Sequence, residues 1–146
     1  MKLEQRATVP APRERVWDLV MDVPRVARCV PGMIAVEPLG DDRHRGTLRV
    51  QVGPIKLTLE GVVAIVARDP ASGSATMRAE GSDGSGGGVR ALLDLRLAEA
   101  GAGTELRVTS DVQVLGRIGE LGQFVIKRKA DQLMSEFAAN LAKELG

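Results

Sequence analysis

The stretch from Arg117 to Leu145 constrains the fold more than any other. Apolar residues recur there at Ile118, Leu121, Val125, Leu133, Phe137, Leu141 and Leu145, with Phe124, Met134 and Ala138 widening the stripe. Steps of three, four and seven predict a single amphipathic helix. The opposite face carries Glu120, Gln123, Lys127, Arg128, Asp131, Gln132, Glu136 and Lys143. At ~1.5 Å per residue such a helix runs about 40 Å, close to the width of a small domain. An apolar face of that length needs a surface to lie on, and a strongly curved sheet supplies one. Whether helix and sheet meet in a filled core or enclose a cavity is the functional question.

The chain upstream supplies the sheet. Lys2 to Val9 alternates apolar and polar residues and reads as a strand, closed by Pro10-Ala11-Pro12. Pro12 and Glu14 suit the first turn of a short helix that buries Val16, Trp17, Leu19 and Val20 and ends near Asp22. Asp22 is placed to cap a second short helix, Pro24 to Cys29, which Pro31-Gly32 stops. Six more strands are predicted: Ile34 to Leu39, His44 to Val52, Ile55 to Val66, Ser74 to Glu80, Val89 to Leu97 and Thr104 to Leu115. Short turns between successive strands imply antiparallel pairing. The expected class is α+β: seven antiparallel strands curved around one long C-terminal helix, with two short helices after the first strand, in one domain over residues 1–146.

Composition excludes several functions. A formal net charge of +1 argues against a general nucleic-acid binder, and 2% aromatic residues argue against base stacking. The one cysteine, Cys29, allows neither an internal disulfide nor a zinc cluster. The start, MKLEQRATVPAP, has no apolar core of a signal peptide. No apolar run reaches the ~18 residues of a membrane span. The expected location is the cytoplasm.

Four motifs carry a family resemblance. Pro12-Arg13-Glu14-Arg15-Val16-Trp17, Cys29-Val30-Pro31-Gly32, Val52-Gly53-Pro54-Ile55 and Gly116-Arg117-Ile118-Gly119 occur in this order over nearly the whole chain. With the predicted element order, they resemble the CoxG family, the carbon monoxide dehydrogenase G subunits, within the START-like (SRPBCC) helix-grip superfamily. The Cys-Val-Pro-Gly and Val-Gly-Pro elements are the more specific ones. The resemblance implies a non-catalytic accessory protein of molybdenum-containing carbon monoxide dehydrogenase or a related hydroxylase, linked to membrane recruitment at the inner face of the cell membrane. It also implies a lipophilic pocket suited to a respiratory quinone, menaquinone or ubiquinone, with no covalent cofactor. Family members often continue past the long helix into a membrane-attaching tail, and this chain ends at Gly146.

The residues themselves give few chemical candidates. His44 stands beside Asp42, Arg43 and Arg45 at a strand start, where an exposed, solvated ring is expected. Ser110 is the one clear inward hydroxyl, without a visible base. Cys29 reads as a small buried hydrophobe. The segment from Gly81 to Gly88 lacks the Lys-Ser/Thr ending of a phosphate loop and precedes a strand, so it reads as a mobile hairpin connection or a gate. Lys127-Arg128-Lys129 reads as a solvated face, or with Arg25 and Arg28 as a basic rim. No metal-ligand spacing is visible. The apolar set Trp17, Met33, Leu48, Val50, Leu57, Leu59, Met77, Leu93, Val108, Phe124, Met134 and Phe137 is ordinary core by default. Under the helix-grip resemblance the same residues line a ligand cavity, with small Ala75, Ala79, Ala91 and Gly61 leaving room. A cyclase-like or hydrolase-like enzyme, and a structural adaptor with a filled core, are the alternatives.

Overall fold

A computed structural model describes residues 1–146. The elements run β1 (Lys2–Val9), α1 (Arg13–Met21), α2 (Val23–Ala27), β2 (Met33–Gly40), β3 (Arg43–Val52), β4 (Ile55–Asp69), β5 (Ser74–Ser82), β6 (Gly88–Ala100), β7 (Gly103–Leu115), a 3-10 turn (Gly116–Leu121) and α3 (Gln123–Leu145). The strands form one antiparallel sheet in the order β1-β7-β6-β5-β4-β3-β2. The expected seven-stranded sheet with its long terminal helix is the observed architecture.

Several details differ from the sequence reading, among them α2, which stops at Ala27 and not at the expected Cys29. The amphipathic stretch is broken at Gly122, whose φ of 86° no helical residue adopts. Ile118 and Leu121 therefore belong to the separate 3-10 turn, and α3 has 23 residues, about 34 Å. β4, β5 and β6 extend beyond their predicted ends, because backbone pairing continues after the alternation fades. The glycine-serine connection is a built turn: the Asp83 carboxylate accepts hydrogen bonds from Ser85 N–H (2.8 Å), Ser85 Oγ (2.7 Å) and Gly87 N–H (3.1 Å).

A row of glycines lets the sheet curve. Gly46 pairs with Gly61, and Gly61 with Gly81, across β3, β4 and β5. A Cβ on Gly61 would overlap the carbonyl oxygen of Glu80, so no other residue fits. Gly32 (φ 84°) meets the same limit, its Cβ falling onto the Arg49 carbonyl oxygen. In return Arg49 N–H donates to Gly32 O (2.9 Å), which docks the Cys-Val-Pro-Gly segment on β3.

Two separate apolar clusters close the fold. The larger joins Val9, Ala11, Val16, Leu19, Val20, Cys29, Leu95, Leu97 and Leu106 to Ala138, Leu141 and Leu145 of α3. Hydrogen bonds lock this end. Arg15 Nη2 donates to the free carbonyl of Leu145 (2.7 Å) at the negative end of α3. Asn140 Nδ2 donates to Cys29 O (3.0 Å), and buried Thr104 Oγ1 donates to Ala11 O (2.7 Å). The smaller cluster, Val52, Ile55, Leu57 and Ile118, packs against Leu121, Val125 and Ile126 at the other end. Asp22 caps α2 as expected, accepting from Arg25 N–H at 3.4 Å.

Candidate functional site: the middle of the concave face

The smaller cluster fixes which residues face inward. Val50 and Val52 of β3 and Ile55 and Leu57 of β4 pack toward α3. Side chains alternate along a strand, so the same parity runs on to Leu48, Gly46 and His44 in β3 and to Leu59, Gly61, Val63 and Ile65 in β4. Register carries these positions across the sheet. One inward row is Ile65, Met77, Leu93, Ser110 and Leu3. The next is His44, Val63, Ala79, Ala91 and Val112. A third is Gly46, Gly61, Gly81, Val89 and Val114. The floor between the two clusters is thus made mainly of glycine, alanine and valine.

The large residues around this floor point inward yet stay only partly buried. Trp17, Met77, Val108, Met134 and Phe137 border the larger cluster, and Leu93 and Leu48 lie between the clusters. Interiors are normally packed to crystal-like density. Inward side chains that keep accessible surface border space rather than neighbouring atoms. α3 makes its close backbone approaches chiefly to β1, and also to β3, α1 and the 3-10 turn, rather than to β4, β5 and β6, which carry most of the floor.

The twelve apolar residues are distributed as follows. Leu57 and Leu59 are buried, Leu57 within the smaller cluster that Val50 borders. Met33 pairs with Leu48, and its sulfur lies 3.4 Å from where a Gly46 Cβ would stand. Phe124 departs from the inward expectation. It is 72% exposed in the first turn after Gly122, with the Arg128 guanidinium 5.7 Å from its ring centre.

The polar candidates separate clearly. Cys29 is buried, and burial, reinforced by Glu144, pushes its thiol up, so it is protonated and unreactive at neutral pH. Asp83 serves its turn, where hydrogen bonds from Ser85 hold its carboxyl below the ordinary range. Lys127 pairs with Asp131 (2.9 Å), Lys129 reaches Gln132 and Arg128 covers Phe124, which makes the basic run a solvated helix face. Asp131 also accepts from Gln5 Nε2 (3.3 Å), and its carboxyl is lowered chiefly by Lys127. An open cleft of about 540 Å³ follows the seam between β1 and α3 beside this contact. His44 is half-buried on the concave face, not solvated as expected. The alternation of Leu48, Val50 and Val52 was the signal that placed it inward; the charged neighbours in sequence masked it.

The profile of the CoxG family, the carbon monoxide dehydrogenase G subunits, matches residues 6–146. The chain belongs to that family. No curated protein sequence matches it. Among solved structures, this CoxG-family chain is similar to a conserved protein from Geobacillus kaustophilus, with a TM-score of 0.89 at 21% identity over 99% of this chain and 94% of that one. A START superfamily protein from Mycobacterium smegmatis superposes with a TM-score of 0.71 at 14% identity, covering 98% and 95% of the two chains. An aromatase/cyclase from Streptomyces sp. R1128 gives 0.70 at 20% identity, covering 99% and 92%. At these identities the likeness establishes a shared START-like fold. No helix of this CoxG-family chain is long and apolar enough to cross a membrane.

Proposed function

We propose that this chain is a non-catalytic accessory protein that holds a lipophilic ligand between the sheet and α3. The ligand is a respiratory quinone, and the recipient is a molybdenum-containing carbon monoxide dehydrogenase drawing on the membrane quinone pool. One observation carries the ligand assignment: large apolar residues point inward around a floor of glycine and alanine and remain partly exposed. Such a site is apolar with few polar groups, as small-molecule pockets usually are. A flat ring fits a floor of small residues, and each CH₂-sized group of a polyprenyl tail gains about 0.8 kcal/mol on burial. Met77 and Met134, flexible and polarizable, adapt to such a tail. Family membership supports the partner.

Solvent extraction of the protein purified from a quinone-making bacterium, with mass spectrometry of the extract, should recover a quinone at near-stoichiometric amount. Titration with menaquinone should quench the single tryptophan, Trp17. Met77→Asp places a charge in the apolar middle and should abolish the quenching. A folded Met77→Asp variant that binds unchanged rules out this location.

A further inference from the structure

His44 is the chain's only histidine. β3 runs from Arg43 to Val52 and pairs with β4 without a register shift. His44 therefore shares its face with Gly46, Leu48, Val50 and Val52, the last two of which pack toward α3. Its register partners are Pro38 on β2 and Val63 on β4, and the row continues through Ala79 and Ala91. None of these offers a polar side chain. His44 Nδ1 is buried and has no hydrogen-bond partner. Nε2 also makes no hydrogen bond within the chain but is not buried, so the half-buried ring keeps one polar edge that a group from outside the chain can reach.

We propose that His44 is the polar anchor of the interior: its imidazole hydrogen-bonds a ring carbonyl or ring hydroxyl on the head group of a lipophilic ligand. The assignment rests on the middle of the concave face being a ligand site, as proposed above. A neutral imidazole offers one N–H donor and one acceptor nitrogen. It serves a carbonyl as donor and a hydroxyl as acceptor, so one residue suits both redox forms of such a ring. Ala79 and Ala91 beside it, and Gly61 and Gly81 in the next row, leave the flat space a ring needs. With the polar edge held at β3, the apolar remainder of the ligand lies toward Met77, Leu93 and α3.

The test compares menadione with 2-methylnaphthalene, which keeps the rings and methyl group but lacks both carbonyls. Binding is measured by calorimetry on the full chain and on His44→Leu. Wild type should take both compounds. His44→Leu should lose about tenfold in affinity for menadione, the cost of one buried hydrogen bond, and none for 2-methylnaphthalene. Because His44 is the only histidine, ¹⁵N-histidine NMR on the wild type reads the contact directly and does not depend on the variant folding. Menadione should move the ring-nitrogen resonances, and 2-methylnaphthalene should not. If both compounds bind and His44 responds to neither, the anchor is refuted while the cavity stands. If neither compound binds, the cavity itself fails and the anchor with it.

Discussion

An identical truncation at two leucines measures whether the middle of the molecule is filled. Leu141 is fully buried in the larger cluster, against α1 and the ends of β6 and β7. Leu93 also points inward, paired with Met77 and Ser110, but keeps accessible surface. Leu→Ala removes the same atoms at both. At Leu141 the loss combines transfer free energy with a new cavity in packed surroundings, about 3 to 4 kcal/mol. Leu93 already borders space, so little new cavity forms and partial burial scales down the transfer loss, giving about 1 kcal/mol. For a chain of this size each kcal/mol lowers Tm by about 2 to 4 °C, so Leu141→Ala should melt about 10 °C lower and Leu93→Ala about 3 °C lower. Chemical denaturation of the ligand-free protein gives both free energies directly. Equal costs at the two sites would mean a close-packed interior, and the carrier function would lose its structural basis.

Three further outcomes follow from individual contacts. Gly61→Ala should prevent soluble folding, since its Cβ would overlap the Glu80 carbonyl, whereas Gly84→Ala, with open space around it, should cost only about 1 kcal/mol of backbone strain; soluble expression and melting distinguish them. Thr104→Val should cost about 1 to 3 kcal/mol in denaturant titration, because it leaves the buried Ala11 carbonyl without its donor. The lowered Asp83 carboxyl contributes stability above the ordinary carboxylate range and loses it as pH falls through its folded value, so below about pH 4 wild type should lose protection of the Ser85 and Gly87 amides, and Asp83→Asn should show faster exchange there already at neutral pH. Amide exchange across a pH series reads both.

The strands, their antiparallel meander and the two short helices were legible because period-two alternation and Pro/Gly punctuation persist along nearly the whole chain, whereas the pairing of β1 with β7 leaves no mark in local pattern. The break before α3 was hidden because Ile118 and Leu121 continue the apolar spacing of Val125 onward, and periodicity does not register the left-handed backbone at Gly122. Phe124 misled because it only widened the apolar stripe and lies off its centre. At about 100° per residue it stands roughly 100° of rotation from Val125 and from Leu141, at the margin of the stripe, and in the first turn of α3 it stays exposed. Strand ends were read short because hydrogen bonding, not side-chain pattern, sets them. The glycine row was invisible as a row: Gly46, Gly61 and Gly81 lie far apart in sequence and meet only through register. His44 was misplaced when its charged neighbours outweighed its parity with Leu48 and Val50.

An open middle is compatible with a stable fold because the backbone does not depend on it. α3 satisfies its own hydrogen bonds along its length and is held by packing at Leu141 and Leu145 toward one end, at Val125 and Ile126 toward the other, and alongside β1 between them, where Gln5 reaches Asp131. The strands likewise satisfy one another. A span left unfilled there would cost dispersion and transfer free energy but would leave no backbone group unpaired. A cargo that fills it binds the folded chain and not the unfolded one, and must stabilise by mass action. At a ligand concentration of about 100 Kd the gain is about 2.7 kcal/mol, which raises Tm by about 5 to 10 °C. Stripping the protein with detergent and adding back menaquinone should reproduce that rise, and Met77→Asp should abolish it. A melting temperature indifferent to a quinone that demonstrably quenches Trp17 would place the ligand outside the folded core and refute the space between the sheet and α3 as its site.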